Sequence, residues 1–394
     1  MCVPLRRIPG EFQIGIVDMS LSRRFLRGLA CALCAISSTM AAAGSKSDPS
    51  YVRDFKSWEV VCDNVKRCVA EGADDNDPSL VAWLWRDAGQ DGAMKLQVAA
   101  TKPFSADQMR FDGRPFRIDP SKSKAWHDEN VQTYPYRIAT EDASVVAAWV
   151  EAARDAGTMS FGAPAATDAP RISLAGLSAA LLAIDDLQGR VGTVTAWRRK
   201  GAAHAASSVP AAMTLPIVGP AKPTPDLSTA EQRRLVNATF ARFRADVDRC
   251  NVGLDDPGDK NAPRQGSTAV ALSASEALVA LGCGDSTADN DTSLWYRVSR
   301  QSPFSAKRLD LGENTGAGNN SDPPPRNALI GAGYDSSRGE LVSFEKARSI
   351  GDCGASTTWI FDGAKFVLAE KRFQGACSGL FMDDWPWLYR TKTR

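Results

Sequence analysis

The sequence predicts an α+β fold: two mainly antiparallel β domains, each with a few packing helices and stapled by disulfides. Three observations carry that prediction. Short apolar or alternating runs are separated by turn signals, with only three stretches of sustained helical spacing. An even set of six cysteines follows a secretion-type leader. A stretch rich in Pro, Ala and Ser at 201–227, with Pro216, Pro220, Pro223 and Pro225, separates an N-terminal domain at 51–200 from a C-terminal domain at 228–394.

The leader is expected over residues 1–43. Arg23, Arg24 and Arg27 precede an apolar run from Leu29 to Met40, and Ala41, Ala42 and Ala43 offer a small-residue cleavage site. The run falls short of the roughly 20 residues that cross a bilayer. Met19 is a natural start for such a signal. Secretion implies the periplasm, where Cys62, Cys68, Cys250, Cys283, Cys353 and Cys377 would be paired. Six cysteines allow 15 connectivities. Sequence order favours 62–68, 250–283 and 353–377, each within one domain. Zinc is disfavoured, because these six cysteines include no C-x-x-C and the chain has two histidines.

The formal net charge of the 394-residue chain is +1. The leader holds Arg6, Arg7, Arg23, Arg24 and Arg27 against Glu11 and Asp18, so the mature chain would be slightly acidic. That balance gives no basic footprint for nucleic acid. No later stretch is apolar enough to span a membrane.

The elements follow in order. Phe55 to Cys68 reads as a strand, a tight turn and a second strand. Glu71 to Pro78 is an acidic loop. Leu80 to Trp85 and Met94 to Val98 pair around Ala88–Gly92, and Asp112-Gly113 turns a further hairpin. A helix starting near Asp142 buries Val145, Val146, Trp149 and Val150. A second, capped by Ser173, presents Leu174, Leu177, Leu181 and Leu182, and Val191–Trp197 returns as a strand. After the linker, Ser228 to Glu231 forms a capping box for a helix carrying Val236, Phe240, Phe243 and Val247. Strands at 268–272, 277–281 and 294–298 follow, then a Gly, Asn and Pro loop at 314–325. A final meander ends in a hairpin whose Asp362-Gly363 turn sets Trp359 against Phe366. Pro103-Phe104-Ser105-Ala106 recurs as Pro303-Phe304-Ser305-Ala306, and Leu80-Val81-Ala82 recurs as Leu278-Val279-Ala280, which suggests a distant internal duplication.

Several of these segments resemble, in order, a family of bacterial secreted proteins known only as a domain of unknown function. They are Phe55-x-x-Trp58-x-Val60-x-Cys62-Asp63-Asn64, Asp185 to Thr193, Gly351-Asp352-Cys353-Gly354, Trp359 to Gly363, Phe366-Val367-Leu368, Cys377 and Trp385-Pro386. The opening segment alone is more loosely similar to small periplasmic invasion-associated proteins. The resemblance implies an envelope location and paired cysteines, and no reaction or cofactor.

No catalytic constellation stands out. Gly375-Ala376-Cys377-Ser378-Gly379 places Cys where a hydrolase elbow needs Ser, and no phosphate-cradling or dinucleotide motif occurs. Asp285 to Asp291 lacks the Gly and Glu of a calcium loop. The densest polar cluster is Trp126, His127, Asp128 and Glu129, a weak binding candidate. The function expected is a non-enzymatic envelope role, binding a protein, peptide or polysaccharide, with no cofactor. The alternative is a carboxylate-dependent hydrolase of envelope glycans or peptides, using groups such as Asp128 and Glu129. Trp385 to Tyr389 is expected to close the core as a final strand.

Overall fold

In the computed structural model, residues 50–73, 79–162, 169–252, 258–284, 290–312 and 326–394 are described. The leader, the loop residues 74–78, residues 285–289 of the rejected calcium loop Asp285 to Asp291, and the loop at 314–325 lie outside them.

The described residues open with β1 (Tyr51–Phe55), β2 (Trp58–Cys62), β3 (Cys68–Gly72), β4 (Leu80–Arg86) and β5 (Met94–Ala100). Asp112 and Gly113 both take positive φ, as a type I′ turn requires, between β6 (Met109–Phe111) and β7 (Arg114–Pro115). Next come β8 (Lys124–His127), β9 (Tyr136–Thr140), α1 (Ala143–Ala152), β10 (Thr158–Phe161), β11 (Arg171–Ser173) and α2 (Leu177–Leu187). The first sheet is antiparallel in the order β1-β2-β3-β4-β5-β9-β8, and β11-β10-β6-β7 forms a smaller one. Asp142 caps α1 through the amides of Ser144 and Val145. The apolar stripes of α1 and α2 bury Val146, Trp149, Leu181 and Ile184 against Val60, Leu84 and Val98 of the first sheet.

In the second half, β12 (Ile217–Val218) precedes α3 (Thr229–Cys250), and β13 (Thr268–Ala271), β14 (Glu276–Cys283), β15 (Thr292–Ser299) and β16 (Ala306–Arg308) form a sheet under it. There β17 (Ala328–Ile330) also pairs with β15. The meander β18 (Gly333–Asp335), β19 (Glu340–Lys346), β20 (Gly354–Phe361), β21 (Phe366–Gln374) and β22 (Trp387–Arg390) packs on that sheet's other face through Trp295, Leu341 and Trp359. The last strand, β23 (Lys392–Thr393), runs parallel to β12. The Pro-rich stretch is therefore anchored by the chain's end, and Val209, Val218 and Leu227 within it are buried. Asp48–Arg394 forms one compact unit, and no helix among the described residues is long and apolar enough to cross a membrane.

The cysteines pair as 62–68, 250–283 and 353–377. The first bridge lies across directly opposed residues of β2 and β3. Thiol labelling of the folded protein should find none of these six cysteines free. Replacing Cys250 and Cys283 with Ala should cost about 2–4 kcal/mol in denaturant unfolding, because that bridge closes the longest loop of the three. Reaction of two or more of the six with the label would refute the framework.

Four expectations need correction. Residues 191–197 are turns rather than a strand: Thr193 and Thr195 bond locally, and the amides of Trp197 and Arg198 are held by Asp185. Gly176, not Ser173, begins α2, with φ 98°; a Cβ there would stand 1.7 Å from the Phe55 carbonyl oxygen. The capping box of α3 is half formed. Ser228 accepts from the Glu231 amide, whereas the Glu231 carboxylate pairs with Arg300. The final turn has four residues, its Asp362 carboxylate accepting from the amides of Ala364 and Lys365. That turn and a bulge at Thr358/Trp359 place Phe361 opposite Phe366 and Trp359 opposite Leu368. Both echo segments run strand, loop, strand and tetrapeptide, then diverge into a 3-10 turn at Ala106–Gln108 and into β16.

Candidate functional site

Residues alternate faces along a strand, so Glu59 and Val61 of β2, Glu71 and Val69 of β3, Trp83 and Trp85 of β4, and Lys95 and Gln97 of β5 share one face of the first sheet. Arg137 of β9 and Trp126 of β8 complete it. The helices cover the opposite face. This one is partly covered by the end of the chain. Trp385, 2% exposed, packs with Val61, Val69, Val81 and Trp83, and its indole donates to the Leu380 carbonyl.

Three polar attachments fix that cover. Arg137 donates through both terminal nitrogens to Asp384, at 2.7 and 2.6 Å. Asn64 exchanges two hydrogen bonds with the backbone of Arg390, at 3.1 and 2.9 Å, and the Arg390 guanidinium donates to Asp63. Asp63 also accepts from the amides of Val65 and Arg67, which shapes the turn inside the first disulfide. The Cys-Asp-Asn run thus builds one turn and docks the last strand onto it.

The third attachment is a buried pair of carboxylates. Glu59 and Glu71 are directly opposed on β2 and β3, 7% and 2% exposed. Glu71 accepts from the Trp83 indole at 2.8 Å and from the Gln374 amide at 2.5 Å. Glu59 faces the Gly375 amide at 3.5 Å, so closely that a Cβ on Gly375 would meet its carboxylate. Burial first, then Glu71 and Asp54 nearby, pushes Glu59 up to about 8. Burial likewise raises Glu71 to about 7, against the pull of its two donors.

Beside the cover a groove of about 370 Å³ stays open. Trp85, Trp126 and Trp387 line it, with Gln97 and Lys95 from the sheet and Arg67, Asp63, Asp383 and Asp384 at its edges. Each of the three indoles carries a basic group over its ring: Lys95 at 5.2 Å from Trp85, Lys124 at 5.7 Å from Trp126, and Arg372 at 4.8 Å from Trp387. A larger hollow beside Trp295 and Tyr334 is bordered by stretches outside the described residues.

The cluster 126–129 is split by the strand. Trp126 enters the groove, while His127 lies against Tyr136 with ring centroids 4.8 Å apart. Asp128 accepts from the Asn130 amide in a local turn; neither it nor Glu129 lines the groove. Trp385 closes the core as expected, but its neighbour Trp387 is half-buried in the groove. Trp85, near the end of β4, is half-exposed there. Among the described residues no group of three or more His, Cys, Asp or Glu gathers as a metal site would need. Trp85, Lys95 and Gln97 were hidden because two-residue alternation gives the shared face but not what covers it. Glu59 and Glu71 had a signal: each interrupts an apolar strand.

The Asp185 to Thr193 motif lies on the helix side and is structural. Asp185 and Arg190 are both 0% exposed. Asp185 accepts from Arg86 at 3.2 Å, and Arg190 donates to the carbonyls of Asp87, Gly89 and Gln90 in the β4–β5 turn.

The model of a family described as "Protein of unknown function (DUF1176)" matches residues 52–392. An uncharacterized protein of Escherichia coli (strain K12), YpfG, is 31% identical over 352 residues, covering 86% of this chain and 93% of that protein. No solved structure matches.

Proposed function

We propose, from the premise that this chain belongs to the DUF1176 family of proteins of unknown function, that it is a non-enzymatic envelope protein that binds a saccharide in the tryptophan-lined groove. The carrying observation is the set of three half-buried indoles around a polar floor. Apolar ring faces pack against the C–H face of a sugar, while Gln97 and Asp383 offer an amide and a carboxylate to its hydroxyls. The leader at 1–43 and the three cystines support the periplasmic location.

Titrating full-length protein with envelope-derived oligosaccharides should give saturable changes in tryptophan emission. Trp126→Ala should weaken binding about tenfold, the equivalent of roughly 1.4 kcal/mol of lost stacking. If no saccharide in such a panel produces a saturable change, the reading fails.

A further inference from the structure

We infer that the groove selects an acidic saccharide, one whose rings carry carboxylates. The inference rests on the saccharide-binding reading above and deepens it.

Lys95 is the cation on the groove's own floor. Among the described residues neither it nor Lys124 forms an ion pair, whereas the other basic groups there are engaged: Arg137 with Asp384, Arg67 with Asp87, Arg390 with Asp63 and Arg372 with Glu370. Lys124 and Gln97 lie in one row across β8, β9 and β5, both opposite Ala139. Two ammonium groups therefore flank an amide on a face bearing indoles. Lys95 is half-buried, and that burial lowers its pKa, so its ammonium has given up hydration without gaining an ion pair. A ligand carboxylate arriving there would meet a partly desolvated cation with little further desolvation to make up.

The same groove argues against a polyphosphate. Asp383 stands at its edge, where it repels closely spaced phosphates but can accept from sugar hydroxyls. An alternation of ring, ammonium and carboxylate fits a chain in which rings, hydroxyls and acid groups also alternate.

The test compares a hexamer of galacturonic acid with cellohexaose, a neutral hexamer, by tryptophan emission and calorimetry on full-length protein. The acidic hexamer should bind at least tenfold more tightly at low salt, and the difference should shrink as salt screens the pair. Lys95→Met should remove most of that preference, and Lys95→Arg should retain it. Lys124→Ala, at an exposed position, should lower acidic binding several-fold with no risk to the core. Equal affinity for the two hexamers, unchanged in Lys95→Met, would overturn the inference and leave the saccharide reading standing. Binding of neither would overturn both, and tighter binding of a twelve-residue oligothymidylate than of the uronate would overturn the choice of ligand.

Discussion

Raising the pH from 5 to 9 should destabilise this protein, by about 6 kcal/mol from Glu59 and Glu71 alone. In the folded chain these carboxyls titrate at about 8 and about 7, against an ordinary value of 4.5. A folded-state pKa above the unfolded one means the native protein holds protons that the unfolded chain has released. The stability is therefore fully present below pH 4.5 and is lost as pH rises through 7 and 8. Each retained proton contributes a slope of about 1.4 kcal/mol per pH unit. Above pH 8 two opposed carboxylates face each other under the chain's end, and Gln374 and Trp83 can offset only part of their repulsion. Denaturant midpoints between pH 5 and pH 9 read the effect directly. The double variant Glu59→Gln, Glu71→Gln should flatten the curve and be the more stable protein at pH 9; a slope equal to that of the parent would refute this account.

Asp185→Ala should cost about 3–5 kcal/mol and threaten folding. Its carboxylate is the counter-charge for Arg86 and Arg190, both almost wholly buried. It is also the acceptor for the Trp197 and Arg198 amides, at 3.0 and 2.7 Å. Removal leaves the buried Arg86 guanidinium without its ion-pair partner and two backbone donors unmet, the situation in which breaking a buried pair is most damaging. Arg86 keeps its bond to the Thr195 carbonyl at 2.5 Å and its place on the Trp197 ring, which holds geometry but supplies no negative charge. Chemical denaturation of the variant measures the loss, and a value under about 1 kcal/mol would show the network to be dispensable.

What could be read in advance was what is local. The Asp142 cap, the Asp112-Gly113 turn and the sequential cysteine pairs each depend on residues within a few positions or on simple nesting. The strand expected at 191–197 failed because its β-branched residues spend their hydroxyls on nearby backbone while distant Asp185 claims the amides. The groove was out of reach for a related reason. Trp85 and Lys95 become a site only because Trp387, some 300 residues later, lies beside them without covering them. Alternation along β4 and β5 assigns a common face; no pattern in the first half indicates that the end of the chain will cap half of it.

That cap also sets a schedule. The bonds between Asn64 and Arg390, Arg137 and Asp384, and Glu71 and Gln374 join residues 326, 247 and 303 positions apart. Contacts of such separation form late, since a long loop must close before any of them is rewarded. A chain emerging from its N-terminus can pair the first strands and lay the two helices on them, but the Val61, Val69 and Trp83 face stays bare until the last residues appear. Refolding should therefore show an early helix-covered sheet with an exposed apolar face, and a slower step when the chain's end arrives. During that interval the protein is most open to aggregation, and most in need of a chaperone.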